Sequence, residues 1–166
     1  SFRSINGRDN APVLIDQEGG RVQRLRPPHW RTYPPSGLIG GLYRDNPPGA
    51  IQAARLITRL LAEELYAAGI NVDCLPVLDV PQPGSHAVIG DRAYSDDPAV
   101  VAVLARAAVC GLMDGGVLPI IKHIPGHGRA CTDSHLELPI VDTPLETLNK
   151  VDFAPFAALA DLPMAM

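Results

Sequence analysis

Five side chains able to bind ligands or carry protons crowd into fourteen consecutive residues: Lys122, His123, His127, Asp133 and His135. They belong to the stretch KHIPGHGRACTDSHLELP, from Lys122 to Pro139. An imidazole titrates near neutral pH, and a nearby carboxylate can set its tautomer and favour its protonated form. Asp133 and His135, two residues apart, have the spacing for such a pair, which could serve as general acid and then general base. The same two residues also suit a surface His beside a helix-capping Asp. Lys122 and His123 offer hydrogen bonds of the kind that sugar hydroxyls accept or donate. They also fit a structural imidazole and a lysine whose stem reaches out to water. Upstream, Asp16 and Arg24 supply a carboxylate and a planar fork of donors eight residues apart. The plainer account is a turn cap at Asp16 and an ion pair between Arg24 and Glu18. His127 is read as shaping its loop, and Asp73 and Asp79 as loop caps with no catalytic role.

A zinc site built from His123, His127, His135 and Asp133 is disfavoured. The i, i+4 pair His123 and His127 would need a helix, and Pro125 and Gly126 interrupt one. GHGRAC matches neither phosphate-binding glycine pattern. No metal and no cofactor are expected.

These residues need a scaffold that brings them to one place. Val117 to Ile121 is a short apolar run of the type that forms a buried strand. Pro125, Gly126 and Gly128 follow and break regular structure, so the polar stretch reads as a loop leaving a strand's C-terminal end. In α/β folds, sites gather there. Earlier in the chain, Pro12 to Ile15 reads as a strand ending at Asp16 in a sharp turn. The Pro- and Gly-rich stretch 26–48 reads as a long surface loop. Pro47-Pro48 opens a helix that runs through Ala53, Leu56, Ile57, Leu60, Leu61 and Leu65 to a stop at Gly69. Ile70 to Leu75 is the next strand. Asp97 caps a second helix with Pro98 in its first position, running through Val101, Leu104, Ala105, Ala108 and Leu112. Thr143 to Glu146 predicts a capping box and a third helix, which Pro155 kinks or splits. Leu162 to Met166 reads as the start of a further strand. The order β-α-β-α-β-α-β predicts parallel strands joined by crossover helices. A small doubly wound sheet and about half of a (β/α)8 barrel both fit that pattern.

Composition narrows the class. The chain has 166 residues, 46% hydrophobic and 19% charged, which is the profile of one globular domain. A net charge of -4 without a basic cluster argues against nucleic acid. The chain has no apolar run long enough to span a membrane. Cys74, Cys110 and Cys131 are scattered and odd in number, the usage of a reducing, cytoplasmic compartment. The opening Ser1-Phe2-Arg3-Ser4 has no initiator Met and no signal-peptide core, so it reads as a cut and not a natural beginning.

Three motifs in order give a resemblance. KHIPGHG followed by DSH is similar to the signature loop of glycoside hydrolase family 3, in its β-N-acetylhexosaminidase branch. IDQEGGRVQRL, from Ile15 to Leu25, and IGDRAYSDDP, from Ile89 to Pro98, agree with it. The resemblance implies an α/β TIM barrel, of which residues 1–166 hold about four βα units as a partial barrel. It implies His135 with Asp133 as acid/base, and Asp16, Arg24, Arg92, Lys122 and His123 as the residues that bind the sugar. The implied substrate is a terminal β-linked N-acetylglucosamine on a muropeptide or chitooligosaccharide, as in peptidoglycan recycling. The family's nucleophilic Asp sits in a segment resembling SDDLSM, which does not occur here, so it is expected beyond Met166. A half barrel leaves sheet edges open, so further chain or a partner is expected to cover that side. Sugar binding without turnover, β-glucosidase activity, and phosphate in place of water as acceptor are the alternatives.

Overall fold

Short apolar runs, separated by helices, assemble into a parallel sheet. The computed structural model describes residues 5, 7–8, 10–132 and 138–166. Strand β1 (Leu14–Ile15) pairs with β4 (Val72–Asp73), which pairs with β5 (Leu118–Pro119), all parallel. Leu14, Val72 and Leu118 share one register level, and Ile15, Asp73 and Pro119 the next. A parallel bridge joins Ile121 to Ala165, and the Met166 amide donates to the Ile121 carbonyl at 2.9 Å. Neighbours in the sheet are therefore neighbours in the chain, from first to fourth. A doubly wound sheet reverses direction at a switch point, whereas a barrel always steps the same way. The three consecutive steps here, across four strand positions, are those of a barrel, and the fold is a partial (β/α) barrel.

Between β1 and β4 lie a hairpin, β2 (Gln17–Gly19) with β3 (Val22–Gln23), and two helices, α1 (Ser36–Asp45) and α2 (Pro47–Ala67). Helix α3 (Pro98–Asp114) precedes β5, and α4 (Leu145–Lys150) and α5 (Ala154–Ala158) follow it. Helices α2 and α3 begin where capping chemistry places them. The Asn46 side chain accepts from the Gly49 amide at 3.0 Å, and Asp97 from the Ala99 amide at 2.8 Å, each beside a Pro in the first turn.

The two helices pack through small residues. A Cβ on Gly111 would lie 2.1 Å from Thr58 Oγ1 and 2.2 Å from the Arg55 carbonyl, so only glycine permits this approach. Thr58 Oγ1 donates across the contact to the Ala108 carbonyl at 2.9 Å.

The sheet has two unlike faces. Ile15, Leu75 and Val117 pack with Leu61, Leu65 and Leu112 beneath the helices. Val72, Cys74 and Ile120 form a separate cluster with Met164 and no helical residue, bordered by exposed Leu14 and Leu118. This second face corresponds to the interior of a barrel.

Two local expectations are corrected. Stretch 26–48 is not loop throughout, because Ser36–Asp45 is helical. Its glycines disguise the helix, yet a Cβ on Gly40 would lie 1.6 Å from the Tyr94 carbonyl, so packing demands what propensity disfavours. The capping box at Thr143 does not form. Helix α4 starts after Pro144 with no side-chain cap, and Glu146 instead meets Lys150 at 2.7 Å. Pro155 does split the segment, sitting in the first turn of α5. Among the described residues, no helix is long and apolar enough to cross a membrane.

Candidate functional site

Side chains alternate along a strand, so Leu118, Ile120 and Lys122 point to one side of the sheet. Lys122 is the last of that row, at the C-terminal end, where the barrel interior would open to solvent. Its side chain is only 2% exposed, and its ammonium lies 2.9 Å from Asp16 Oδ1 and 2.6 Å from Glu18 Oε1. Asp16 stands two residues beyond Leu14 on the same side of β1. Burial pushes the Asp16 carboxyl up, but the hydrogen bond and charge of Lys122, with Arg24 behind them, outweigh it and hold it below the ordinary carboxylate value.

Several residues of the DQEGGRVQR segment have a visible reason. Gly19 and Gly20, at φ of +91° and +55°, turn the hairpin. Buried Gln17 clamps it: its side-chain oxygen accepts from the Arg24 and Leu25 amides at 2.8 and 3.0 Å, and its Nε2 donates to the Leu25 carbonyl at 2.9 Å. That clamp aims Glu18 at Lys122 and leaves Arg24 at the rim, 3.4 Å from Asp16 Oδ2.

Arg92 arrives from a short 3-10 turn, Gly90–Arg92, and grips Glu18 through two contacts of 2.9 Å each. Burial works against the guanidinium charge, and the hydrogen bonds and charge of Glu18 outweigh it, so Arg92 is held above its ordinary value. Glu18 thus serves two cations, buried Lys122 and partly buried Arg92.

His123 follows Lys122 at the strand end. Its Nδ1 lies 2.6 Å from Asp79 Oδ2, and its Nε2 lies 3.4 Å from an Arg92 nitrogen. Asp79 also accepts from the His127 amide at 2.7 Å, which pins the PGHG loop over the strand end. Gly128 lets that loop lie flat, since a Cβ there would sit 2.1 Å from the Val80 carbonyl. The Lys122–His123 and Ile124–Pro125 peptides are both cis.

Asp16, Arg24, Arg92, Lys122 and His123 therefore line one cleft of about 390 Å³, together with Glu18, Val22 and Met166. The volume falls in the range of small-ligand sites. Its walls alternate donors and acceptors, an arrangement suited to a polyhydroxylated molecule. A second groove, of about 450 Å³, lies outside the barrel against α2, α3 and α5. It is apolar, and its Arg55 and Arg106 already pair with Asp114 and Asp161, so no acid–base chemistry is built there. Among the described residues, no group of three or more His, Cys, Asp or Glu side chains is placed to hold a metal ion.

Asp133 and His135 lie outside the described residues. Two residues of the site carry more than the sequence suggested. Glu18 pairs with Arg92 and Lys122 and not with Arg24, and Asp79 contacts a cleft imidazole as well as capping the loop. The signal for Glu18 was its place within DQEGGR; nothing in local spacing announces a partner 74 residues away. Asp73 lies fully buried beneath the hairpin, its Oδ1 accepting from the Gln17 amide at 3.0 Å. Burial pushes its carboxyl well above the ordinary value.

Comparison with known proteins supplies an independent view. The glycosyl hydrolase family 3 N-terminal domain matches residues 2–166. A β-hexosaminidase of Xylella fastidiosa strain M12 is 43% identical over 155 residues, covering 91% of this chain and 45% of that protein. One from Bordetella pertussis strain Tohama I is 42% identical over 164 residues, 98% of this chain and 46% of that protein. The chain spans less than half the length of these relatives. Among solved structures, NagZ from Neisseria gonorrhoeae in complex with N-trifluoroacetyl-D-glucosamine superposes with a TM-score of 0.88 at 39% identity, over 93% of this chain and 46% of that one.

Proposed function

The chain belongs to glycosyl hydrolase family 3, and from that premise we propose that it forms the sugar-binding part of a retaining β-N-acetylhexosaminidase. The observation that carries this reading is the convergence of Asp16, Arg24, Arg92, Lys122 and His123, drawn from three distant stretches, on one cleft. Their alternating donors and acceptors suit the hydroxyls of a terminal β-linked N-acetylglucosamine. The N-acylated glucosamine bound by the Neisseria NagZ structure supports that choice of sugar.

In this reading Asp133 and His135 are the general acid/base pair. The His protonates the departing glycosidic oxygen and then takes a proton from the attacking water, while Asp133 fixes its tautomer. The nucleophile that forms the covalent glycosyl-enzyme is an Asp outside this stretch of sequence. Residues 1–166 act as one partial-barrel catalytic domain, completed by further chain or a partner on the open side. The natural substrates are muropeptide or chitooligosaccharide fragments, the role peptidoglycan recycling in the cytoplasm, and no cofactor takes part.

The protein containing this chain should release 4-nitrophenol from its β-N-acetylglucosaminide in preference to the β-glucoside. His135→Ala should lower kcat by about 10²–10⁴-fold. Unchanged turnover in that variant would remove His135 from the mechanism, and preference for the glucoside would overturn the choice of sugar.

A further inference from the structure

We infer that Asp79 is a positioning residue that keeps the His123 proton on Nδ1, so that Nε2 meets the cleft as a hydrogen-bond acceptor. The consequence for ligand recognition rests on the sugar-site reading; the tautomer itself rests on geometry alone.

The Asp79 side chain is 0% exposed and receives N–H donors on both oxygens. Oδ1 accepts from the His127 amide at 2.7 Å and from the His123 amide at 3.4 Å. Those backbone donors fix which way the carboxylate faces. Oδ2 is then left 2.6 Å from His123 Nδ1, a contact that requires a hydrogen on the ring nitrogen. The other side of the ring gives the same answer. Nε2 lies 3.4 Å from a guanidinium nitrogen of Arg92, and a guanidinium offers donors only. Arg92 cannot turn away freely, because two contacts of 2.9 Å tie it to Glu18. A hydrogen on Nε2 would face another donor, and a bare Nδ1 would set a lone pair against a carboxylate. Only the ring protonated on Nδ1 alone satisfies both neighbours.

His123 then joins Asp16 and Glu18 as an acceptor of the cleft, set among the donors of Lys122, Arg24 and Arg92. A ligand group that meets His123 must itself donate, as a hydroxyl or an amide N–H does. Asp79 is not among the residues lining the cleft, so its effect on a ligand passes through the ring.

Asp79→Asn tests this with near-identical shape. The backbone N–H groups claim the single amide oxygen, so the amide NH₂ faces Nδ1 and drives the proton to Nε2. Long-range ¹H–¹⁵N spectra of the labelled protein, with the His123 ring assigned by its loss in His123→Gln, report the tautomer directly. The wild type should show a protonated Nδ1 and a bare Nε2 near neutral pH, and Asp79→Asn should reverse them. The same variant should lower kcat/KM on the N-acetylglucosaminide by about 10²-fold, as misplacing a ligand-binding group does. A wild-type ring protonated on Nε2 overturns the inference without recourse to any variant, as does a tautomer unmoved in a folded Asp79→Asn protein. The expected spectra in a protein with no glycosidase activity support the inference and count against the functional reading.

Discussion

At the cleft, Lys122 lies 2.6 Å from Glu18, and Arg92 holds the same carboxylate through contacts of 2.9 Å. On the helix surface, Arg55 lies 2.7 Å from Asp114 and Lys150 lies 2.7 Å from Glu146. Distance does not separate the two sets; burial does. Lys122 and Glu18 are each 2% exposed in their side chains, whereas Arg55 is 56% exposed and Lys150 71%. In water, an ion pair exchanges one good environment for another and is screened by salt. Under the hairpin each charge has given up its hydration, so each depends on its partner. One buried carboxylate shared by two cations, Lys122 and Arg92, gives the cleft a fixed array of charge before any ligand enters. The surface pairs do nothing comparable.

The largest test of that contrast removes the hub. Glu18→Gln leaves buried Lys122 and partly buried Arg92 with one carboxylate fewer, and should lower the unfolding free energy by about 3–5 kcal/mol. Urea titration measures it; a loss below about 1 kcal/mol would place the network on a par with the surface pairs.

Next in size are two carboxyls with opposite pH responses, Asp73 beneath the hairpin and Asp16 in the cleft wall. Asp73 is raised by burial, so its native form binds more protons than the unfolded chain. Its contribution is complete below the ordinary value of 3.8 and is lost as pH rises through the native value. Asp73→Asn keeps an acceptor for the Gln17 amide and should flatten that decline, leaving the variant the more stable protein at pH 8. Asp16 is lowered, so its contribution is present above 3.8 and disappears as pH falls through the native value. Asp16→Asn should abolish that acid-side loss. Thermal melts across pH 2–9 follow both, and an unchanged profile in either variant breaks the assignment. The smallest effect belongs to the surface: Arg55→Ala should leave the urea midpoint unmoved within error, in low salt and high. A shift approaching that of Glu18→Gln would erase the distinction.

The cleft's members were legible in part. Asp16, Arg24, Lys122 and His123 are of types that can bind hydroxyls, whereas Arg92 was marked only by the resemblance of its IGDR segment to the family. Glu18 was legible as a residue but not as a hub, because its partners lie 74 and 104 positions away in sequence. Asp79 looked like a loop cap and is one; its second contact, to the His123 ring, appears only when β5 and the loop after β4 lie side by side. Helix α1 was hidden for a related reason. Gly37, Gly40 and Gly41 weaken the local helix signal, and the close approach to the Tyr94 backbone that requires glycine at 40 is a tertiary fact.

The sequence by itself determined the alternation of strands and helices, the starts of α2 and α3, and the turns at Gly19-Gly20 and Gly126. Each follows from interactions within a few residues: apolar periodicity, a capping side chain, a proline in a first turn, a glycine with positive φ. Tertiary structure decided that the strands step always in one direction, as in a barrel, and that one buried carboxylate serves two cations. It decided as well which nitrogen of His123 faces the carboxylate. Those outcomes depend on groups from distant segments meeting in a space closed to water, where every charge and every N–H must find its partner.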